Sequence, residues 1–213
     1  MENILVAGAN GTTGKKVVKL LKESQYFNPI AMVRKREQME QFKDKNIDTV
    51  LADLTEDMTH AIRHVDKVIF AAGSGGKNVI EVDQEGAKRL MSISKMANVK
   101  KFVMLSSMGA DHPENHDELK AYLEAKQNAD AHLRESGLTY TIVRPGTLND
   151  SEPTGKIKLE EKLNQEGEIS RADVAQTLVR ALHDDAPKNI SFEILEGDTI
   201  IGEAMNAINT VVI

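Results

Sequence analysis

Tyr122 and Lys126 stand four apart in AYLEAK, one helical turn, so their side chains share a face. An ammonium beside a phenol favours the phenolate and eases loss of its proton. A phenol tuned in this way can give a proton to a carbonyl oxygen, or take one from it, while hydride moves at the carbon. Ser106 and Ser107 close the apolar run KKFVMLSS, and a serine hydroxyl can polarise the same oxygen. Either serine could fill the catalytic place; Ser107 is preferred, with Ser106 assigned to cofactor contact. Tyr and Lys at this spacing also occur on ordinary amphipathic helices. The context favours chemistry: the pair lies between a serine-ended strand and the RPG, Arg144–Gly146, that ends the next strand.

A second group of residues suits phosphate. In ILVAGANGTTGKKVVKLL, residues 4–21, Gly8, Gly11 and Gly14 stand three apart between an apolar run and a basic, leucine-rich one. The reading is a strand, a bare turn and a helix. The first glycine permits the turn, the second admits a pyrophosphate, and the third lets the helix pack close to the sheet. The unpaired N–H groups at the helix start favour an anion. An ATP-binding P-loop is excluded, because the glycine spacing is wrong and no Ser or Thr follows the lysine. Twenty positions after Gly14 comes Arg34, in AMVRKR. A carboxylate there would hold the ribose 2′-hydroxyl of NAD, whereas Arg34, with Lys35, suits the 2′-phosphate of NADP. NADP is therefore the expected cofactor and NAD the alternative.

These residues need elements to hold them. Short apolar runs alternate with helical patterns: NILVAG, PIAMVR, DTVLAD, DKVIFAAG, KKFVMLSS and LTYTIVRPG read as strands, with ISFEIL after a late helix in SRADVAQTLVRALHDD. TEDMTHAIRH and Val82–Asn98 read as helices between them. Continuously apolar strands separated by helices predict a mainly parallel, doubly wound α/β sheet in a single domain over 1–213. Residues 149–168 are polar and read as an irregular surface loop, a candidate substrate loop or lid. The tail GEAMNAINTVVI ends apolar and is expected to dock on the domain or on a partner subunit.

Composition excludes several functions. With 27 Lys and Arg against 33 Asp and Glu, the formal charge is -6, which disfavours nucleic acid and anionic membranes as partners. Cysteine is absent, removing thiol nucleophiles and zinc–thiolate sites. There is no apolar run of spanning length and no room for a leader before the first strand, so a cytoplasmic protein is expected. His60 and His64 on a helix, and His112 and His116 in a loop, have zinc-compatible spacing but no third ligand, so no metal is expected. A hydrolase nucleophile elbow is absent.

Taken together, the chain resembles the atypical short-chain dehydrogenase/reductase superfamily, in particular its small NmrA-like and epimerase-like members. The resemblance implies a Rossmann-type fold. It implies cofactor contacts from Gly8, Asn10, Gly11, Thr12, Thr13 and Gly14 in GANGTTG, and from Arg34 and Lys35 at the 2′-phosphate. Asp53 and Leu54 would flank the adenine, and Ala71, Ala72 and Gly73 would pass under the adenosine. VDQEGAKRLM and ISRADVA match helices typical of these members. Tyr122 and Lys126 match the YxxxK pair, in which the lysine also holds the nicotinamide ribose, and Pro145 and Gly146 match the segment beside the nicotinamide. Three features depart from the larger sugar enzymes: the VYG after the serines is missing, Tyr122 comes 15 positions after Ser107, and the C-terminal part is short. The expected activity is that of an NADP(H)-dependent oxidoreductase on a small carbonyl or related substrate, in a monomer or small homo-oligomer. The alternatives are a sugar-nucleotide epimerase or dehydratase, and a non-catalytic NADP(H) sensor that binds a protein partner.

Overall fold

The computed structural model describes residues 1–210; the last three residues of the apolar tail lie outside them. Strand and helix alternate through β1 (Glu2–Ala7), α1 (Thr12–Glu23), β2 (Phe27–Val33), α2 (Arg36–Lys43), β3 (Asp48–Leu51), β4 (Lys67–Phe70), α3 (Ala87–Met96), β5 (Lys101–Leu105), α4 (Lys120–Glu135) and β6 (Tyr140–Pro145). There follow β7 (Thr147–Asn149), β8 (Lys156–Glu160), β9 (Glu168–Ser170), α5 (Arg171–Arg180), β10 (Ile190–Glu196), β11 (Thr199–Ile200) and α6 (Ile201–Thr210). The main sheet has the order β11-β8-β10-β6-β5-β4-β1-β2-β3. It is parallel from β3 through β10, and only β8 and β11 run antiparallel to their neighbours. This is the expected doubly wound, single α/β domain of Rossmann type.

Side-chain alternation explains why both faces are covered. Ile4 and Val6 of β1 join a core with Val17, Val18 and Leu21 of α1, Leu178 of α5 and Met205 of α6. Leu5 and Ala7 join the opposite core with Leu90 and Met91 of α3 and Leu133 of α4. Successive residues of one strand thus feed two cores, so the strand must be apolar throughout.

Register gathers the strand ends. Ala7 pairs with Met32 on one side and Phe70 on the other, Phe70 pairs with Met104, and Leu105 pairs with Val143. The carboxyl ends of β2, β1, β4, β5 and β6 therefore end along one edge. The loops that follow them carry Arg34, the glycine turn, Ala71–Ser74, Ser106–Met108 and Gly146.

Several elements differ from expectation. TEDMTHAIRH forms only a 3₁₀ turn, Thr59–Ile62, because Asp57 Oδ1 holds both the Thr59 N–H and its hydroxyl and His64 adopts φ 60°. His60 and His64 consequently share no helical face, and the His60 ring lies 2.8 Å from the Leu51 carbonyl instead. The helix expected from Val82 begins earlier, as a π-helical run Val79–Gly86, and α3 ends at Met96 before Asn98 turns at φ 56°. Residues 149–168 are not irregular throughout, since β8 extends the main sheet. Of the apolar tail, Ala204, Met205 and Ile208 dock on this domain's core. Among the described residues no helix is long and apolar enough to cross a membrane.

At the opposite edge of the sheet, two buried lysines clasp the chain between α5 and β10. Lys67 Nζ donates to Leu182 O and Asp184 Oδ1, both at 2.8 Å, and Lys101 Nζ donates to Pro187 O at 3.0 Å. Burial first, then the Lys188 and Lys67 charges, lower the Lys101 amine to about 7, with Asp184 opposing and Arg180 adding to the shift. The unfolded chain then binds more protons than the folded one between pH 7 and the ordinary lysine range, so this residue makes stability rise with pH across that window. Lys101→Met should flatten the rise, which is worth about 2 kcal/mol between pH 7 and pH 9. Urea melts of both proteins at the two pH values measure it, and equal slopes would refute the assignment.

Candidate functional site

The glycine turn is tight for a visible reason. Gly8 has φ 85°, and a Cβ on it would stand 2.5 Å from Ala72 N and 2.6 Å from Ala71 O. The peptide after β1 therefore lies directly against the loop after β4, at the point where the strand order reverses. A Cβ on Gly14 would overlap the Gly8 carbonyl, so the helix can approach the turn only with glycine there. Helix α1 starts from Gly11 with no side-chain cap and no acidic residue in its first turn. Its N-terminal N–H groups and dipole are thus arranged for an anion. Gly11 and Thr12 are exposed, and Thr13 is buried.

Polar atoms without hydrogen-bond partners collect on these loops. Asn10 Oδ1 in the turn and Ser74 Oγ after β4 are buried without a hydrogen-bond partner, and Asp83 Oδ1 in the π-helical run has none either, facing only the Lys126 ammonium at 3.6 Å. Buried polar atoms are normally satisfied, and orphans at one edge fit a polar ligand that completes them. Arg34 leaves β2 exposed, with Lys35 and Arg36 beside it. Gln38 Oε1 accepts from the backbone N–H of both Arg34 and Lys35, which fixes the backbone and leaves the cationic side chains outward. Asp53 Oδ1 is engaged by the Thr55 N–H and hydroxyl, and the Leu54 carbonyl accepts from Arg89 Nε. These contacts shape the loop after β3. Ala71 and Ala72 are half-buried and Gly73 is exposed.

Tyr122 and Lys126 lie together on α4, with the Lys126 Nζ 5.6 Å from the centre of the Tyr122 ring. Tyr122 is half-buried, whereas Lys126 is only 3% exposed. The lysine's surroundings were not foreseen. Its Nζ donates to Leu105 O at 3.3 Å and lies 3.6 Å from Oδ1 of the wholly buried Asp83. The other Asp83 oxygen accepts from Ser74 N at 3.0 Å.

The two serines separate clearly. Ser106 is buried, and its hydroxyl donates to Asp130 Oδ2 at 2.9 Å. Its hydroxyl proton is thus directed to the interior. Ser107 is half-buried, and its hydroxyl donates only to Met108 O, at 3.1 Å. Arg144 completes the buried network, donating from Nε and Nη2 to Asp130 Oδ2 and from both terminal nitrogens to the Asp111 carboxylate. Burial pushes the Asp130 carboxyl up, against the Arg144 charge; the Arg144 hydrogen bonds hold Asp111 down. Pro145 is buried and its carbonyl accepts from Met108 N, so the network and this bond together fix the loop that presents Ser107. His116 packs on the same loop, since a Cβ on Gly109 would stand 2.9 Å from its Nε2. Gly146 is half-buried at the end of β6.

The arm after β6 is anchored at several points. The buried Asp173 accepts from the N–H groups of Thr154 and Gly155 and from the Ser170 hydroxyl, while Ser170 caps α5 in return. Arg171 pairs with Asp150, and Glu193 accepts from Leu163 N. Asp83, Asp111 and Asp130 were not singled out from sequence, because each is a lone carboxylate in a helix or loop whose partner comes from a distant element.

A family profile described as NAD(P)H-binding matches residues 8–185, from the glycine turn to beyond α5. The chain belongs to this NAD(P)H-binding family. A Bacillus subtilis protein named as an uncharacterized sugar epimerase, YhfK, is 39% identical over 210 residues, covering 95% of this chain and 98% of the relative. A solved structure described as a NAD-dependent epimerase/dehydratase from Bacillus halodurans superposes with TM-score 0.91 at 35% identity, covering 97% of this chain and all of that one. The oxidoreductase ylbE from Lactococcus lactis superposes with TM-score 0.88 at 32% identity, covering 96% and 95%.

Proposed function

We propose that the protein is an NADP(H)-dependent oxidoreductase of the atypical short-chain dehydrogenase/reductase type that acts on a small carbonyl or related substrate. The observation that carries this reading is the Tyr122–Lys126 pair on one face of α4, joined through Lys126 and the Leu105 carbonyl to the sheet edge where the glycine turn opens. The turn and the α1 N-terminus would hold the pyrophosphate, and Arg34 with Lys35 would pair the 2′-phosphate. Asp53, Leu54 and Ala71–Gly73 would line the adenosine, and Gly146 the nicotinamide side. A nicotinamide held there would supply or take hydride. Tyr122 gives or takes the proton at the substrate oxygen, and the Ser107 hydroxyl donates a hydrogen bond to that oxygen. Lys126, buried beside the ring, would bind the ribose and keep positive charge near the phenol.

The test is cofactor oxidation across a panel of aldehydes, ketones, quinones and flavins. Turnover on none, with NADP(H) still bound, would favour the sensor. The names of two of the relatives above support a second reading, a sugar epimerase or dehydratase. Such an enzyme would convert a sugar nucleotide without net consumption of cofactor.

Cofactor choice gives a separate prediction. Arg34→Ala removes a charge-assisted contact, so NADPH should bind ~10–100-fold more weakly while NADH is little changed. Fluorescence titration of both nucleotides measures this, and an unchanged preference would move the role to Lys35 or Arg36.

A further inference from the structure

Among the described residues, the large apolar side chains left exposed are Met1, Tyr26, Ile80, Met96, Leu119 and Ile200. Met1 and Tyr26 precede β1 and β2 and Met96 ends α3, all at the sheet edge remote from the glycine turn, while Ile200 lies in β11 at the sheet's margin. Ile80 and Leu119 differ, because they stand on the two elements that frame Tyr122. The π-helical run Val79–Gly86 packs along α4 in the same direction, since Asp83 meets Lys126 and the Gln84 side chain meets Asn128. Ile80 stands three residues before Asp83, and Leu119 and Tyr122 stand seven and four before Lys126. Leu119, Tyr122 and Lys126 therefore follow one face of α4, and Ile80 comes level with that face at the start of the facing element. Ile80 is 50% exposed and Leu119 54%. A lone exposed apolar residue is ordinary. Two of them on facing elements beside a half-buried phenol form the walls of a mouth.

Charge divides along the same edge. Arg34, Lys35 and Arg36 follow β2, at the end assigned to the adenosine. Around the mouth, exposed Glu81, Glu114, Asp117 and Glu118 outnumber Lys77 and Lys120. Carboxylates adjoin both apolar residues, Glu81 after Ile80 and Glu118 before Leu119. The phosphates of a sugar nucleotide, or a substrate carboxylate, would meet like charge here.

We propose that the substrate is a planar aryl aldehyde or ketone, neutral or cationic, held with its ring between Ile80 and Leu119 and its carbonyl oxygen at Tyr122. This rests on the oxidoreductase reading above. Tyr122 gives its proton to the oxygen as hydride from the reduced dinucleotide reaches the carbonyl carbon. The C=O becomes CH–OH, the dinucleotide leaves oxidised, and the phenolate regains a proton from solvent. Ile80 and Leu119 take no part in the proton or hydride transfer; they select the ring by covering its faces.

The test uses a fluorescent ring that cannot be reduced, 2-naphthol, with its anionic analogue 2-naphthol-6-sulfonate. Both are titrated into the wild type, Ile80→Gln, Leu119→Gln and the distant control Ile200→Gln, each with NADP+ bound. All three positions are exposed, so the variants should melt with the wild type. Ile80→Gln and Leu119→Gln should each weaken 2-naphthol by about five- to tenfold, the worth of one lost apolar contact face. Ile200→Gln should not, and NADP+ affinity should be the same in all four. The sulfonate should bind more weakly than 2-naphthol at low salt and approach it as salt rises. With NADPH, the KM for 2-naphthaldehyde should rise in the same two variants with kcat nearly constant, while propanal, too small to span the walls, should be unaffected. Unchanged 2-naphthol affinity in both variants would overturn the proposal. So would a sulfonate preferred at low salt, or a loss of NADP+ affinity equal to the loss for the ring, which would report damage to the fold. A wild type that binds 2-naphthol through Ile80 and Leu119 but reduces no carbonyl would instead overturn the oxidoreductase reading and leave the aromatic-binding mouth standing.

Discussion

Tyr122→Phe is expected to lower turnover by ~10²–10⁴, the usual worth of positioned acid–base assistance, on any substrate the panel identifies. The change removes one oxygen and keeps the ring that packs beside Lys126. Cofactor affinity should therefore stay near the wild-type value, and the loss should fall on kcat more than on KM. Lys126→Met should differ by weakening NADPH binding and turnover together. It also strands the Asp83 carboxylate, so its melting temperature must be compared before its kinetics are interpreted. Single-turnover mixing with NADPH separates the hydride step from product release. Full activity in Tyr122→Phe would assign proton transfer elsewhere, with His116, packed on Gly109 of the same loop, the first residue to test.

The fold was legible wherever sequence-local patterns decide it. The all-apolar β1 and the amphipathic α1 follow from periods that a single segment carries, and the glycine turn from its spacing and flanks. The alignment of strand ends follows once those elements are accepted as a parallel sheet. Expectation failed where a partner distant in sequence decides. Residues 156–160 lack the apolar run of a buried strand, because β8 lies between β10 and the two-residue β11 near the sheet's margin, where exposed Lys and Glu are tolerated. The segment 57–64 has helical spacing, but an Asp57 side chain that captures its own downstream N–H competes with helix. In the site, Tyr122 and Lys126 could be found because one helical turn relates them. Asp83 lies 43 positions before Lys126, and Asp130 lies 24 after Ser106, so nothing local marks either as a partner. The serine choice shows the same limit: two adjacent serines look alike in sequence, and only the carboxylate beneath one of them distinguishes their roles.

Arg144→Met should be the most destabilising single change near the site, at about 3–5 kcal/mol. Arg144 is 3% exposed and supplies four of the hydrogen bonds described above, two to Asp130 Oδ2 and two to Asp111. Methionine fills much of the volume, so a cavity is not the main cost. Without Arg144, Asp130 keeps only the Ser106 hydroxyl, and its other oxygen already has no partner. The carboxyl, pushed up by burial even in the wild type, must then be taken still higher. A carboxyl whose folded pKa is raised binds its proton more readily in the folded chain than in the unfolded one, so its contribution to stability falls as pH rises above the ordinary carboxylate range. The deficit of Arg144→Met should therefore be smaller at pH 5 than at pH 8. Adding Asp130→Asn should recover part of it at pH 8 and little at pH 5, where the carboxyl is closer to neutral. Denaturant melts of the three proteins at both pH values measure these differences. A deficit independent of pH, with no recovery in the double variant, would mean that Arg144 matters for packing alone and that Asp130 carries no charge in the folded protein. Loss of the Asp111 contact adds a kinetic signature. The loop from Ser107 to His116 loses its side-chain tie to β6 and keeps only the Met108 N–H to Pro145 O bond described above, so whatever activity remains should show a raised KM for the carbonyl substrate before the cofactor affinity changes.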